Sequence, residues 1–237
     1  MTSASRSVAA RLQSTLIAPG LTAADIEAHC TQCVEYGFNA AMIPARWVPV
    51  ARAVLAGSGV LVASAADFPF GAMTTQGLVA EIQALVTSGV DQIDVGLPVG
   101  LLRGGEASVF AAHVAAAVAA AGPVPLKAML ELPLLAPSER DAAVDICVEA
   151  GIRYLKNASS GAVGVARPED IAYLRGRAPG HVGIKASGGI KTLAHALALV
   201  DAGADLVGTG SAVAIAAGAD PATGASGHPV RDAAPPY

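Results

Sequence analysis

Aromatic residues make up only 4% of this 237-residue chain, and charged residues only 14%. With 53% of its residues hydrophobic, the chain must build its core mainly from Ala, Val, Leu and Ile. No basic run occurs and the net charge is −4, which argues against nucleic acid or an anionic membrane as the main partner. Long hydrophobic runs are missing as well. The most apolar stretch, Val109 to Ala121, is interrupted by His113 and falls short of the roughly 18 residues of a membrane span. The first residues, Met1 to Gln13, hold Arg6 and Arg11 but no apolar segment followed by a cleavage site, so a cytoplasmic location is expected. Three cysteines cannot close a disulfide framework, and the lone pair Cys30 and Cys33 has no second pair to complete a zinc site. Set one helical turn apart, these two read as small buried side chains. The five histidines form no H-x-H or H-E-x-x-H, and neither a G-x-S-x-G elbow nor a Walker loop occurs, so no metal or cofactor is expected.

What is present is a recurring unit: an Ala-rich helical segment, a glycine, and a short β-branched strand. Gly37 precedes Ala40 to Ile43, Gly89 precedes Gln92 to Val95, Gly151 precedes Arg153 to Lys156, and Gly203 precedes Asp205 to Gly208. Each glycine suits the left-handed position that ends a helix. Further strands are predicted at Val60 to Ser64, Val124 to Leu130 and His181 to Ala186, with a first short one at Thr15 to Ile17. Eight strands alternating with helices imply parallel pairing and right-handed crossovers. No Gly-rich dinucleotide fingerprint follows the first strand, so a closed (β/α)8 barrel is favoured over an open sheet. One barrel domain over 1–217 is expected. The Gly-, Pro- and Ala-rich remainder, 218–237, reads as an extension without periodicity.

Residue economy points to the chemistry. The chain holds four lysines against eleven arginines, so lysine has been spared for special positions. Lys127, Lys156 and Lys185 fall in or at the ends of predicted strands five, six and seven; Lys191 begins the helix after strand seven. Arginine cannot stand in where a neutral amine must attack a carbonyl, because its guanidinium stays protonated. In this fold the catalytic groups project from the C-terminal strand ends into one mouth. Three amines crowded there lower one another's pKa, which makes a nucleophile at neutral pH. A lone buried lysine is as well explained by a salt bridge, with Asp94 or Glu131 as its counter-ion. Asp94, on strand four within an apolar run, also suits a proton relay. Two Gly/Ser segments, Ser187-Gly188-Gly189-Ile190-Lys191 and Gly208-Thr209-Gly210-Ser211, follow strands seven and eight, where barrels bind phosphate on backbone N–H groups. Two tight turns would produce the same pattern.

From about Val8 to Ala216 the chain resembles the deoxyribose-phosphate aldolases. The matching stretches are Arg46-Trp47-Val48-Pro49, Phe68-Pro69-Phe70-Gly71-Ala72 with Thr74-Thr75, and Gln92-Ile93-Asp94. Further on come Leu126-Lys127 with Glu131, Tyr154-Leu155-Lys156, and the most specific run, Val182 to Ile190. The resemblance implies a class I aldolase, working without metal or cofactor, that joins acetaldehyde and glyceraldehyde 3-phosphate reversibly into 2-deoxyribose 5-phosphate. It implies that Lys156 forms the imine, that Lys185 perturbs its pKa and shares a proton relay with Asp94, and that Lys127 assists. A terminal tyrosine, here Tyr237, often reaches the mouth in that family, and members are often homodimers. The family usually opens strand one with Asp-His-Thr-Leu. This chain has Gln13-Ser14-Thr15-Leu16, which keeps Thr15 among the candidate substrate contacts but puts Gln13 where a substrate-contacting carboxylate is expected. Pro98 stands for an asparagine, and Asn157-Ala158-Ser159-Ser160 for Thr-Ser-Thr-Gly. Two other readings stay open: a sibling class I aldolase with a different aldehyde pair or an unphosphorylated acceptor, and a non-catalytic phosphosugar-binding barrel.

Overall fold

In the computed structural model of the chain, residues 8–218 are described. The expected extension beyond Gly218, Tyr237 included, lies outside the described residues. Local signals set the helix ends. Thr22 accepts the Asp25 N–H while the Asp25 carboxylate takes the Thr22 N–H, a reciprocal cap that opens helix α1 (Ala23–Tyr36). Gly37, with φ at +65°, closes it in the left-handed conformation, and Gly89, Gly151 and Gly203 are also left-handed at their helix ends. The other helices are α2 (Val48–Leu55), α3 (Thr75–Thr87), α4 (Gly100–Arg103), α5 (Ala107–Ala121), α6 (Pro137–Glu149), α7 (Pro168–Arg177), α8 (Leu193–Asp201) and α9 (Ala212–Ala217). No helix among the described residues is long and apolar enough to cross a membrane.

Eight strands lie between them: β1 (Leu12–Thr15), β2 (Ala40–Met42), β3 (Leu61–Ala66), β4 (Gln92–Gly96), β5 (Leu126–Met129), β6 (Tyr154–Lys156), β7 (Gly183–Ser187) and β8 (Leu206–Thr209). Each pairs in parallel with the next, and β1 pairs with β8, which makes a closed (β/α)8 barrel. The expected strands fall in place with shifted ends. The largest correction is β1, which begins at Leu12 rather than Thr15. Gln13, Ser14 and Thr15 look too polar for a barrel strand, yet the interior that Gln13 enters is itself polar, and Ser14 turns outward to Cys33 of α1.

Two cores result from the strand alternation. One set of strand residues, with Leu12, Val62, Ile93, Val95, Leu155 and Ile184 among them, meets the apolar faces of the helices and is fully buried. Each such large side chain contributes about 1.5–3 kcal/mol relative to exposure. Cys30 and Cys33 are free and buried in this layer, as expected for packing residues. The other set faces into the barrel, and there the composition divides. Ala40, Met42 and Ala63 form a small apolar wall from β2 and β3. Across from it stand Gln13, Gln92, Asp94, Lys127, Lys156 and Lys185, all buried.

Candidate active site

The lysines expected at strands five, six and seven meet on one carboxylate. Parallel register sets Asp94 beside Lys127 and Lys156 beside Lys185, so all four share the inner face. Lys156 Nζ donates to Asp94 Oδ2 at 2.8 Å, and Lys185 Nζ donates to the same oxygen at 2.7 Å. Lys127 Nζ lies 3.1 Å from Oδ1 but out of line for a hydrogen bond. Asp94 is therefore the counter-ion. Glu131, the other candidate, instead accepts the Ser159 N–H on both oxygens, at 3.0 and 3.1 Å.

One negative charge against three amines has electrostatic consequences. Burial alone would raise the Asp94 pKa, but Lys156, Lys185 and Lys127 together hold it well below the usual carboxylate range. Burial pushes Lys185 down; Asp94 opposes this, while Lys156 and Lys127 add to it, and the result lies well below 10.5. Lys127 is also lowered, by burial first and by Lys156, against the pull of Asp94. Two unit charges about 4 Å apart repel by about 4 kcal/mol even at an effective dielectric of 20. Three protonated amines on one carboxylate are thus strongly disfavoured, and a neutral amine is the natural resting form of such a cluster.

The same surplus predicts a stability gain. Lys127→Met removes a wholly buried amine while Asp94 keeps two others, so at pH 7 it is expected to stabilise the fold by about 1–3 kcal/mol. In the unfolded chain Lys127 takes up a proton up to 10.5, and in the fold it releases that proton at lower pH. The parent therefore gains stability as pH rises through this window, and the advantage of the variant shrinks toward 10.5. Urea unfolding of both proteins from pH 7 to 10 measures the difference; a gain that grows with pH contradicts the assignment.

Around the cluster, the loops after β6, β7 and β8 close in. Asn157, directly after Lys156, donates Nδ2–H to the Ser187 carbonyl at 3.0 Å and accepts the Ser187 N–H at 2.8 Å. This amide laces β6 to β7 where the barrel hydrogen bonds end. Gly188 and Gly189 both have positive φ, and a Cβ on Gly188 would collide with the Gly164 carbonyl. Thr209 Oγ1 donates to the Ile190 carbonyl at 2.6 Å, so the two Gly/Ser segments are adjacent as expected. Gly208 must lack a side chain, since a Cβ there would meet Ser187 Oγ at 2.7 Å and Lys185 Cε at 2.8 Å. Gly210 sits over the Thr15 carbonyl, which brings Thr15 to the same rim as Ser211. Lys191 needs a correction. It does not begin α8 but lies exposed ahead of it, because the Thr192 hydroxyl accepts the His195 N–H and makes Thr192 the cap.

Sequence reasoning missed the polar frame. Gln13 bridges Lys185 to Gln92 and Asn39, and the buried Ser159 hydroxyl lies beside Glu131. The signal available was Gln92, two residues before Asp94 and so on the same face of a strand. Among the described residues no group of three or more His, Cys, Asp or Glu converges as metal ligands do. Depressions near Val118 to Leu126, and around Arg175 and His181, open at the opposite end of the strands and hold none of these groups.

Comparison with known proteins agrees with this geometry. No family model matches the chain. A deoxyribose-phosphate aldolase of Brevibacillus brevis is 37% identical over 205 residues, covering 86% of this chain and 93% of its own. Among solved structures, an aldolase called QR15 superposes with a TM-score of 0.83 at 26% identity, covering 89% of this chain and 94% of its own. The deoxyribose phosphate aldolase of Aeropyrum pernix, described as a unique tetramer, superposes at 0.81 and 26% identity, over 90% and 91%. On that identity and coverage, the chain belongs to the deoxyribose-phosphate aldolase family.

Proposed function

We propose that this protein is a class I aldolase that reversibly cleaves 2-deoxy-D-ribose 5-phosphate to acetaldehyde and D-glyceraldehyde 3-phosphate, with Lys156 as the imine-forming residue. The observation that carries this reading is the convergence of three buried amines on the single carboxylate of Asp94 at the barrel mouth. The neutral Lys156 amine attacks C1 of the open-chain sugar, and the carbinolamine loses water to give an iminium. A base takes the proton of the C3 hydroxyl, the C2–C3 bond breaks, and its electron pair moves into the iminium. Glyceraldehyde 3-phosphate leaves and an enamine remains. Protonation at C2 and hydrolysis then release acetaldehyde and restore the amine. Lys185 and Asp94, in contact with each other and with Lys156 in the case of Asp94, move the protons. Lys127 steadies the carboxylate, and Tyr237 is assigned the C2 proton on the family resemblance.

Phosphate belongs on the joined loops. The backbone of Gly188, Gly189, Gly208 and Gly210, the hydroxyls of Ser187 and Ser211, and the charge of Lys191 supply the donors, while Thr15 and Ser159 face the sugar. Product formation from deoxyribose 5-phosphate tests the reaction. Lys191→Ala tests the loops: it is expected to raise KM for the phosphorylated sugar about tenfold, the equivalent of one charge-assisted contact, and to leave cleavage of 2-deoxyribose unchanged. Equal losses on both sugars remove Lys191 from the phosphate site. Acetaldehyde trapped on the protein without cleavage of the phosphorylated sugar would instead identify a sibling aldolase with another acceptor.

A further inference from the structure

We propose that Gln13 is a positioning residue that sets the charge of the lysine cluster, by holding Lys185 with a neutral acceptor in a place where a carboxylate would fit. The inference rests on the imine reading above. Gln13 is wholly buried on β1. Its Nε2 donates to Gln92 Oε1 at 2.7 Å and to Asn39 Oδ1 at 2.9 Å, which uses both of its N–H groups. The amide is thereby locked, with Oε1 turned to accept from Lys185 Nζ at 2.7 Å. Lys185 hangs between two acceptors at equal distance, one charged and one neutral.

Among the described residues, the charged groups that act on Lys185 are three, and the neighbouring strands supply no other. Asp94 comes from β4, Lys127 from β5, Lys156 from β6 and Gln13 from β1; β8 offers Gly208, with no side chain. Glu131, the other carboxylate near Lys156, is turned to the Ser159 N–H. A glutamate at position 13 would be a second full charge at contact distance. An opposite charge so close raises an amine pKa by about 1–3 units, so the amide lets the cluster release its proton at lower pH. Because interacting amines titrate as a set, the effect belongs to the cluster as a whole. The amide also takes up no proton, so a proton leaving Lys185 passes to Asp94 and not into β1.

The pH dependence of kcat/KM for deoxyribose 5-phosphate, and of borohydride trapping with acetaldehyde, tests this in the parent, Gln13→Glu and Gln13→Met. Gln13→Glu keeps the length of the side chain, and the Gln92 and Asn39 amides can rotate to donate to it. Its acid limb is expected to move up by about 1 unit or more, with activity recovering toward the parent at alkaline pH. Gln13→Met adds no charge. Its limb should not rise, while kcat falls at constant KM because Lys185 loses its aim. Coincident limbs in parent and Gln13→Glu, or equal upward shifts in both variants, overturn the proposal. Should Gln13→Glu not fold, Gln13→Met decides, and an unchanged kcat overturns the positioning role. A parent that traps no imine overturns the imine reading itself, and this inference with it. Trapping at Lys156 in the parent with coincident limbs removes Gln13 alone.

Discussion

Lys156→Arg is expected to lose at least about 10⁴-fold in kcat and all borohydride-trappable adduct, while the barrel stays folded. The guanidinium can still pair with Asp94, so the carboxylate keeps a partner on β6. What disappears is the capacity to be neutral and nucleophilic. In the parent, reduction in the presence of acetaldehyde should add one two-carbon unit, and peptide mass spectrometry should find it on Lys156. Lys156 ends β6 and is slightly exposed toward the mouth, whereas Lys127 and Lys185 are sealed within. Adduct on either of those in the parent, or kcat within tenfold in Lys156→Arg, would overturn the assignment.

Asp94→Asn should cost about 3–5 kcal/mol of stability at pH 7, and it should abolish most activity as well. The substitution is nearly isosteric, so packing is unchanged. It removes the single anion that three buried amines share, and uncompensated buried charge is the expensive outcome. In a domain of this size the melting temperature should fall by about 10 °C. The sign with pH follows from linkage. The Asp94 carboxyl titrates well below its usual 3.8 in the fold, so its stabilisation is fully present above that value and is lost as pH falls through the folded pKa. On the alkaline side, the variant should recover as the amines lose their protons. Urea unfolding between pH 5 and 10 measures the alkaline limb, and its extension below 3.8 reaches the acid one. Unchanged stability at pH 7 would mean that Asp94 is not balancing charge.

The barrel was legible because its helices end in glycines in the left-handed conformation, and because a short, mostly apolar segment follows each of them. The amine cluster was legible because lysine is so rare here that three on neighbouring strands stand out against the arginines. β1 was harder to place. Gln13-Ser14-Thr15 has the polarity of a loop, and it takes the polar half of the barrel interior, which receives Gln13, to make it a strand. The roles of Gln13, Gln92 and Asn157 escaped for a related reason. A neutral amide carries no sign of its own in a sequence, and its meaning lies in which donors and acceptors a distant part of the chain delivers. Lys191 was displaced from its helix by a local detail, the preference of Thr192 for the cap position.

The hydrogen bond from Lys185 to Gln13 spans 172 residues, and the one to Asp94 spans 91. Bringing the distant pair together costs about 2.5 kcal/mol more in chain entropy than closing a loop of roughly ten residues. It is offset only when β1 docks on β8 and the ring shuts. A partly wound barrel that lacks β1 would still carry Asp94, Lys127, Lys156 and Lys185 on contiguous strands, but Lys185 would be without its second acceptor. The finished arrangement of amines therefore requires the closed ring, and no open arc of strands can hold it. The newly made chain is chemically incomplete until its two most distant strands have met.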